Sequence, residues 1–181
     1  LFSGGDDRLL RLWDRGNGKM LRVFKGHKQR ITAALVTPDS RFLISASADG
    51  TLRLWNIETT TNALTLKGHE SEILSLAMTP EGRFVFSGGA DRVIKLWDLV
   101  SGQNMWTFCG HKKEVAAVSV TQDGRFLISG SADFLLRGCE LDWELDTSES
   151  FPALGETAGK PSVSGFLHRL TTLFHSGTKE S

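Results

Sequence analysis

Serine, histidine and aspartate recur along this chain at a constant spacing, and together these three residue types could carry out hydrolysis. In a serine hydrolase the serine attacks the substrate, the histidine takes its proton, and the aspartate orients the histidine. Each set lies 42 residues after the one before it, as the numbers of its histidine show. The sets are His27, Ser45 and Asp49; His69, Ser87 and Asp91; and His111, Ser129 and Asp133.

A catalytic interpretation of these sets is disfavoured by their repetition. A nucleophile, base and acid are assembled once per active site, beside an exposed serine and an oxyanion hole. Three equidistant copies have no such requirement. An internal period near 40 residues instead indicates stacked supersecondary units, each with the same backbone geometry. The sets are therefore expected to be structural.

Each repeat contains four short apolar segments separated by turn signals. In one copy these segments are residues 31–36, 42–47, 52–55 and 63–66, and they are rich in β-branched and aromatic residues. This pattern predicts four antiparallel strands. The first two strands are apolar on both alternating faces, so both faces are expected to be covered. Radially packed sheets in a closed ring would provide that cover and leave only short, protected edges.

These repeats resemble the tryptophan-aspartate (WD) repeat family of β-propellers, in which Gly-His opens each repeat and Trp-Asp closes its third strand. Trp13-Asp14 and Trp97-Asp98 match this pattern, and Trp55-Asn56 nearly does. The resemblance covers residues 1–145 and implies an all-β fold, a β-propeller fragment of four-stranded antiparallel blades, two full and two partial. The remaining blades are expected to belong to the same, longer polypeptide.

The resemblance also implies a hydrogen-bond chain from the tryptophan indole through serine and histidine to aspartate. The implied sets are His27, Ser45, Asp49 and Trp55, then His69, Ser87, Asp91 and Trp97, then Ser3, Asp7 and Trp13 without a histidine. In the fourth repeat, the set His111, Ser129 and Asp133 has Cys139 where the tryptophan is expected. The blade that contains Cys139 should therefore be the weakest. Its ending resembles bacterial WD-repeat arrays attached to serine/threonine kinases.

WD-repeat propellers usually bind partners on one face, through residues at three positions in each repeat. Two of these positions flank the first apolar residue of the first strand, which is the inner strand of each blade. The position before that residue is occupied by Arg30, Glu72 and Glu114 in successive repeats, and the position after it by Thr32, Leu74 and Ala116. The residue before the tight-turn aspartate is Asp6, Ala48, Ala90 or Ala132. Mixed charge around Leu74 suits a peptide with acidic and basic groups.

Composition favours a cytoplasmic, non-catalytic scaffold for protein–protein interaction. Lys and Arg number 21 and Asp and Glu number 21, so attraction to nucleic acid or membranes is not expected. Cys109 and Cys139 have no metal-site spacing, and neither a metal nor a cofactor is predicted. Two alternatives stay open: a regulatory propeller of a signalling protein such as a serine/threonine kinase, and a propeller enzyme with a central site.

Basic residues recur within the repeats, and two interpretations apply to them. They lie on the third strand and at the start of the second, and they either pair with neighbouring carboxylates or form a phosphate-binding stripe. Pairing with carboxylates is favoured. The residues are Arg11, Arg53, Lys95 and Arg137, and Arg41, Arg83 and Arg125.

The repeat pattern stops at the C-terminal end of the chain. Residues 146–181 are rich in Ser, Thr, Gly and Pro, which predicts a disordered tail. Phe166, Leu170 and Leu173 recur at helical spacing, so a short helix is predicted over residues 164–176. This helix would either dock on its own propeller or bind a partner.

Overall fold

The computed structural model describes residues 1–141 and Thr172–Leu173, and these residues form strands connected by turns and loops. Repeated apolar and β-branched segments separated by Gly, Pro and Asp turns account for this arrangement. The strands are β1 (Phe2–Gly4), β2 (Leu9–Trp13), β3 (Met20–Lys25), β4 (Ile31–Val36), β5 (Phe42–Ser47), β6 (Thr51–Asn56), β7 (Asn62–Lys67), β8 (Ile73–Met78), β9 (Phe84–Gly89), β10 (Ile94–Asp98), β11 (Gln103–Phe108), β12 (Val115–Val120), β13 (Phe126–Ser131), β14 (Leu136–Glu140) and β15 (Thr172–Leu173).

The strands form four antiparallel sheets in which neighbours in sequence are also neighbours in space. Sheet 1 is β1-β2-β3, sheet 2 is β4-β5-β6-β7, sheet 3 is β8-β9-β10-β11 and sheet 4 is β12-β13-β14-β15. This confirms the predicted all-β class and the four-stranded antiparallel blade. The first strands of sheets 2 and 3 contact each other, as do those of sheets 3 and 4, so the sheets succeed one another side by side.

Apolar side chains between adjacent sheets form the core. Between sheets 1 and 2, Leu10 and Phe24 pack with Leu43 and Trp55. Ile44, Leu66 and Ile73 belong to the cluster between sheets 2 and 3, and Phe86, Val115 and Leu127 belong to that between sheets 3 and 4. Burial of this apolar surface is the main force that holds successive sheets together.

The second strand of sheets 2 and 3 is buried along its whole length, but the first strand is not. All six residues of β5 and of β9 are buried. In β4, by contrast, Ala34 and Val36 are exposed. The prediction that both strands are covered on both faces is therefore correct for the second strands of sheets 2 and 3, and wrong for the first strands and for β13, where Ile128 is exposed. The first strand is the edge strand of its sheet, so it lacks a neighbour on one side.

Each of the strands β4, β8 and β12 begins with a β-bulge. The register shifts between Ile31 and Ala33, between Ile73 and Ser75, and between Val115 and Ala117. One residue in each strand is therefore left out of the pairing, and these residues are Thr32, Leu74 and Ala116. Bulges redirect side chains and are frequent beside functional sites.

The end of the chain falls mostly outside the described residues. The predicted tail of residues 146–181 and the predicted helix over 164–176 are described only at Thr172–Leu173. There the chain forms strand β15, which pairs with Gly138 and Cys139 of β14. At these two positions the backbone is thus extended, in place of the helix that the spacing of apolar residues predicts.

Candidate partner-binding face and the Ser-His-Asp sets

In sheet 2 the tryptophan, serine, histidine and aspartate form one continuous hydrogen-bond chain. Trp55 Nε1 donates to Ser45 Oγ at 2.8 Å. Ser45 Oγ lies 2.8 Å from His27 Nε2, and His27 Nδ1 lies 3.0 Å from Asp49 Oδ2. Asp49 also accepts the backbone N–H of Lys28 at 2.8 Å. The chain therefore ties the loop before β4 to strands β5 and β6 and to the turn between them.

Sheet 3 repeats this geometry. Trp97 Nε1 donates to Ser87 Oγ at 2.8 Å, and Ser87 Oγ and His69 Nε2 are 2.7 Å apart. His69 Nδ1 and Asp91 Oδ2 are 2.7 Å apart. The Trp97 ring also packs against Gly68, where an added Cβ would lie 3.1 Å from Trp97 Cη2. Glycine before the histidine therefore gives the indole room to pack against the preceding sheet.

Sheets 1 and 4 contain incomplete versions of the chain. In sheet 1, Trp13 Nε1 donates to Ser3 Oγ at 2.8 Å, while Asp7 accepts from Arg11 at 2.5 Å. In sheet 4, Ser129 Oγ lies 2.9 Å from His111 Nε2, and His111 Nδ1 lies 3.1 Å from Asp133 Oδ2. Cys139 takes the tryptophan position there: it pairs with Leu127, as Trp55 pairs with Leu43.

Burial keeps the histidines of sheets 2 and 3 neutral. The side chains of His27 and His69 are fully buried, and this burial lowers the pKa of both rings although Asp49 and Asp91 oppose the effect. Burial also works against ionisation of Asp49, but hydrogen bonds from Thr51, the Lys28 N–H and His27 outweigh it and lower its pKa to about 2. A neutral ring that donates from Nδ1 to an ionised carboxylate fits this geometry.

The serine–histidine–aspartate distances alone would suit a hydrolase, but the surroundings of the serines do not. Ser45 and Ser87 are completely buried. Each Oγ also accepts the indole N–H of its tryptophan, so each has a second partner besides the histidine. A nucleophilic serine needs open space for a substrate carbonyl above Oγ. In these two sheets the space is occupied by protein, and the arrangement can clamp strands but cannot admit a substrate.

The predicted partner-binding residues come together at one end of the sheets. The carbonyl of Arg30 accepts the N–H of Ala48 at 3.0 Å, and Glu72 accepts in the same way from Ala90 at 2.8 Å. Glu114 accepts from Ala132 at 3.0 Å. In three successive sheets the residue before the first strand thus lies beside the residue before the turn aspartate. We call this surface the strand-start face, made of Arg30, Thr32, Ala48, Glu72, Leu74, Ala90, Glu114, Ala116 and Ala132.

The three bulges lie within the strand-start face. Leu74 is half-buried and Ala116 is exposed. Thr32 Oγ1 donates to the Ile73 carbonyl of the neighbouring sheet at 2.6 Å. Thr32 therefore joins two sheets, whereas Leu74 and Ala116 offer apolar surface. Asp6 is exposed at the corresponding turn of sheet 1.

Two charged residues of this face pair with each other, which the sequence did not reveal. Arg30 Nε and Nη2 donate to the two carboxylate oxygens of Glu72, both at 2.9 Å. Glu114 is exposed and has no ion-pair partner among residues 1–141. The three positions differ accordingly: two carry a neutralised pair and the third carries a net negative charge.

Several of the recurring basic residues pair with carboxylates, as the favoured interpretation predicted. Arg83 donates to both oxygens of Asp98 at 3.2 Å, and Arg125 donates to Glu140 at 3.2 Å. Arg53 lies over the Trp55 ring, with its guanidinium carbon 5.8 Å from the ring centroid. The two ion pairs link the residue before the second strand of a sheet to the third strand, whereas Arg53 and Trp55 both lie on the third strand.

Successive antiparallel sheets of this kind, two of them tied by a complete Trp-Ser-His-Asp chain, define a β-propeller repeat protein. Residues 18–56, 61–98 and 102–137 match the model of the WD domain, G-beta repeat. These segments make up well over half of the chain, which therefore belongs to the WD-repeat family.

Two relatives of different function share short stretches with it. A stretch of 48 residues is 40% identical to transcription initiation factor TFIID subunit 5 of Caenorhabditis elegans and covers 26% of this chain and 7% of that protein. A stretch of 46 residues is 35% identical to human cilia- and flagella-associated protein 52 and covers 25% of this chain and 7% of that protein. Each match thus spans a small part of the relative.

Neither a metal centre nor a membrane-spanning helix is found in the described part of the chain. Residues 1–141 and 172–173 contain no group of three His, Cys, Asp or Glu side chains placed to hold a metal ion. Over the same residues, no helix is both long and apolar enough to cross a bilayer.

Proposed function

We propose that this chain is part of a non-catalytic scaffold that binds another protein on the strand-start face, and that it works in the cytoplasm. The observation that supports the proposal is the coincidence of three bulges with three predicted binding positions. Thr32, Leu74 and Ala116 are the unpaired bulge residues, and Arg30, Glu72 and Glu114 precede them by two positions. A rigid array of redirected side chains on one surface is suited to recognition.

The charges and apolar groups of the face specify a class of partner. Glu114 attracts a basic group, while Leu74 and Ala116 accept an apolar side chain between the charged positions. Arg30 and Glu72 are already paired, so a partner that uses either must supply a replacement charge. A peptide segment with a basic residue beside an apolar one meets these needs better than a polyanion.

The cytoplasmic assignment rests on cysteine chemistry. Cys109 and Cys139 are both free. Free thiols are typical of reducing compartments, and disulfides of oxidising ones. A role as one subunit of a larger assembly is in keeping with the similarity to a subunit of a transcription initiation factor. Attachment to a serine/threonine kinase is a special case of the same scaffold role.

Affinity capture with the full-length protein, followed by affinity measurements on variants, tests this proposal. Leu74→Ala and Glu114→Ala should each weaken binding of the captured partner by about 1 kcal/mol or more if they lie at its centre. Glu81→Ala is the matched control, because Glu81 is exposed in the turn at the opposite end of β8. If both face variants bind as the unmodified protein does while their stability is unchanged, the proposed face is wrong.

A further inference from the structure

A cavity of about 210 Å³ lies where sheet 4 lacks its tryptophan. Its lining includes Ile94, Phe108 and Leu127 as apolar walls, and His111, Ser129 and Cys139. Cys139 has the same register as Trp55 and Trp97, because it pairs with Leu127 as they pair with Leu43 and Val85. The cavity is therefore the volume that an indole fills in the two preceding sheets.

The walls that receive an indole elsewhere are preserved around this space. In sheets 2 and 3 the indole packs on the glycine before the histidine, with an added Cβ on Gly26 or Gly68 only 3.1 Å from the ring. At Gly110 the nearest side-chain atom is Arg137 Nη1, 3.2 Å from an added Cβ. The glycine is thus retained, and no Trp or Phe ring of residues 1–141 lies within 4 Å of an added Cβ at Gly110, whereas Trp55 and Trp97 lie 3.1 Å from that position at Gly26 and Gly68.

The hydrogen-bond acceptor for the indole N–H is also preserved. Ser129 is 3% exposed and lies 2.9 Å from His111 Nε2, the same contact that Ser45 and Ser87 make with their histidines. Ser45 and Ser87 accept an indole N–H in addition. Within residues 1–141 no group donates to Ser129 Oγ, so this acceptor faces the cavity. Burial raises the pKa of the Cys139 thiol, which leaves a neutral group beside the space.

We propose that this cavity is a binding site for a small planar bicyclic aromatic molecule with one N–H donor, that is, a compound of the indole class. The ligand's ring occupies the position that Trp55 and Trp97 occupy in their sheets, and its N–H donates to Ser129 Oγ. An apolar cavity of about 150 Å³ suffices to bind benzene. This site is larger, at about 210 Å³, and its walls also carry the polar side chains of His111, Ser129 and Arg137. The site is independent of the strand-start face.

Binding of 5-fluoroindole to the full-length protein, followed by fluorine NMR, tests this proposal. We expect a Kd of about 1 mM or tighter, as suits a ligand of this size. Indene has nearly the same shape but no N–H, and it should compete about three- to tenfold less well than indole because one hydrogen bond is lost. Ser129→Ala should remove this preference for indole over indene.

Filling the cavity provides the decisive variant. Cys139→Trp places an indole in the site covalently and should abolish binding of 5-fluoroindole. Leu136→Trp is the matched control, because Leu136 lies on the same strand but is 75% exposed, and it should leave binding intact. If Cys139→Trp does not fold, Cys139→Phe fills the space instead and should abolish binding as well.

Three results would overturn the assignment. The first is an absence of binding at about 5 mM ligand, well above the expected Kd. The second is undiminished binding to a folded Cys139→Trp or Cys139→Phe protein, which would place the ligand elsewhere. The third is equal affinity for indole and indene in the unmodified protein, which would remove the role of Ser129.

Discussion

Arg30 and Glu72 occupy the same position in successive repeats and form an ion pair across the boundary between sheets 2 and 3. Both N–O distances are 2.9 Å, and the guanidinium faces the carboxylate with two donors. The Arg30 side chain is 55% exposed and that of Glu72 is 22% exposed. The next equivalent residue, Glu114, carries the same charge as Glu72. The repeat therefore supplies a cation at only one of these three positions.

The Arg30–Glu72 pair should contribute little to stability. Because Arg30 is largely exposed, solvent screens the attraction, and we expect a coupling of about 1 kcal/mol or less. The measurement is a double-mutant cycle with Arg30→Ala and Glu72→Ala, from denaturant melts at low salt and at about 1 M NaCl. A coupling that persists at high salt would show that the pair is shielded from solvent.

The Asp91 carboxylate should contribute much more than its counterpart in sheet 1. Asp91→Ala leaves the buried His69 Nδ1–H without an acceptor, and we expect a loss of about 1–3 kcal/mol of unfolding free energy. Asp7→Ala is the matched control, since Asp7 is 48% exposed and pairs with Arg11 on the surface. Equal effects of the two substitutions in urea melts would argue against the clamp.

Val93→Thr should stabilise the protein. In sheet 2, Thr51 donates both its N–H, at 3.0 Å, and its hydroxyl, at 2.6 Å, to Asp49 Oδ1. Val93 is the equivalent residue in sheet 3, and there Asp91 Oδ1 is buried without a hydrogen-bond partner in the described structure. A hydroxyl at position 93 supplies that partner, for a gain of about 0.5–1.5 kcal/mol.

Thr51→Val is the reciprocal of this substitution and should destabilise sheet 2. It leaves Asp49 without the hydroxyl that helps to lower its pKa. If Val93→Thr lowers the free energy of unfolding while Thr51→Val leaves it unchanged, then the hydroxyl is not what stabilises the carboxylate.

Acidification should weaken the fold, first through the histidines. Burial lowers the pKa of His27 and His69, so below about pH 6.5 the unfolded chain binds more protons at these residues than the folded protein does. The contribution of these two histidines to the free energy of unfolding is present above about pH 6.5. It is lost as the pH falls towards their lowered pKa values in the folded protein. Asp49, with a pKa of about 2, contributes above about pH 4 and loses this contribution as pH falls further.

Urea melts between pH 8 and pH 5 measure the histidine part of this effect. The double substitution His27→Gln and His69→Gln removes both titrating rings, and its stability should vary less with pH over this window. An unmodified protein that becomes more stable between pH 7 and pH 5.5 would contradict the pKa directions.

The amino-acid sequence predicted the features that depend only on residues within one 42-residue repeat. Strand positions, turns and the Gly-His and Trp-Asp pattern depend on residue type and spacing, and sheets 1, 2 and 3 have the predicted form. Sheet 4 was predicted to be partial, but β15 supplies it with a fourth strand. The Arg30–Glu72 pair could not be predicted, because it depends on how closely successive sheets approach. The bulges at Thr32 and Leu74 also lack a glycine or other marker in the sequence.

Cys139 shows the same limit: the sequence gives the residue type at this position, but only the structure gives the packing around it. The sequence revealed that the tryptophan is absent and suggested a weak blade. Whether neighbouring groups collapse into the space depends on side-chain packing, and the structure retains a cavity beside Ser129. Periodicity predicts which residue is missing, but it does not predict what fills the place.

Reaction with a fluorophosphonate probe tests most directly whether the Ser-His-Asp sets are structural or catalytic. Such a probe forms a covalent adduct with an activated serine. Ser45 and Ser87 are completely buried and Ser129 is 3% exposed, so intact-mass analysis of the folded protein should show no adduct. Ser129 is the most informative of the three, because a cavity adjoins it. A stoichiometric adduct on Ser129 that disappears in His111→Ala, with the fold retained, would contradict the structural account and identify a hydrolase site.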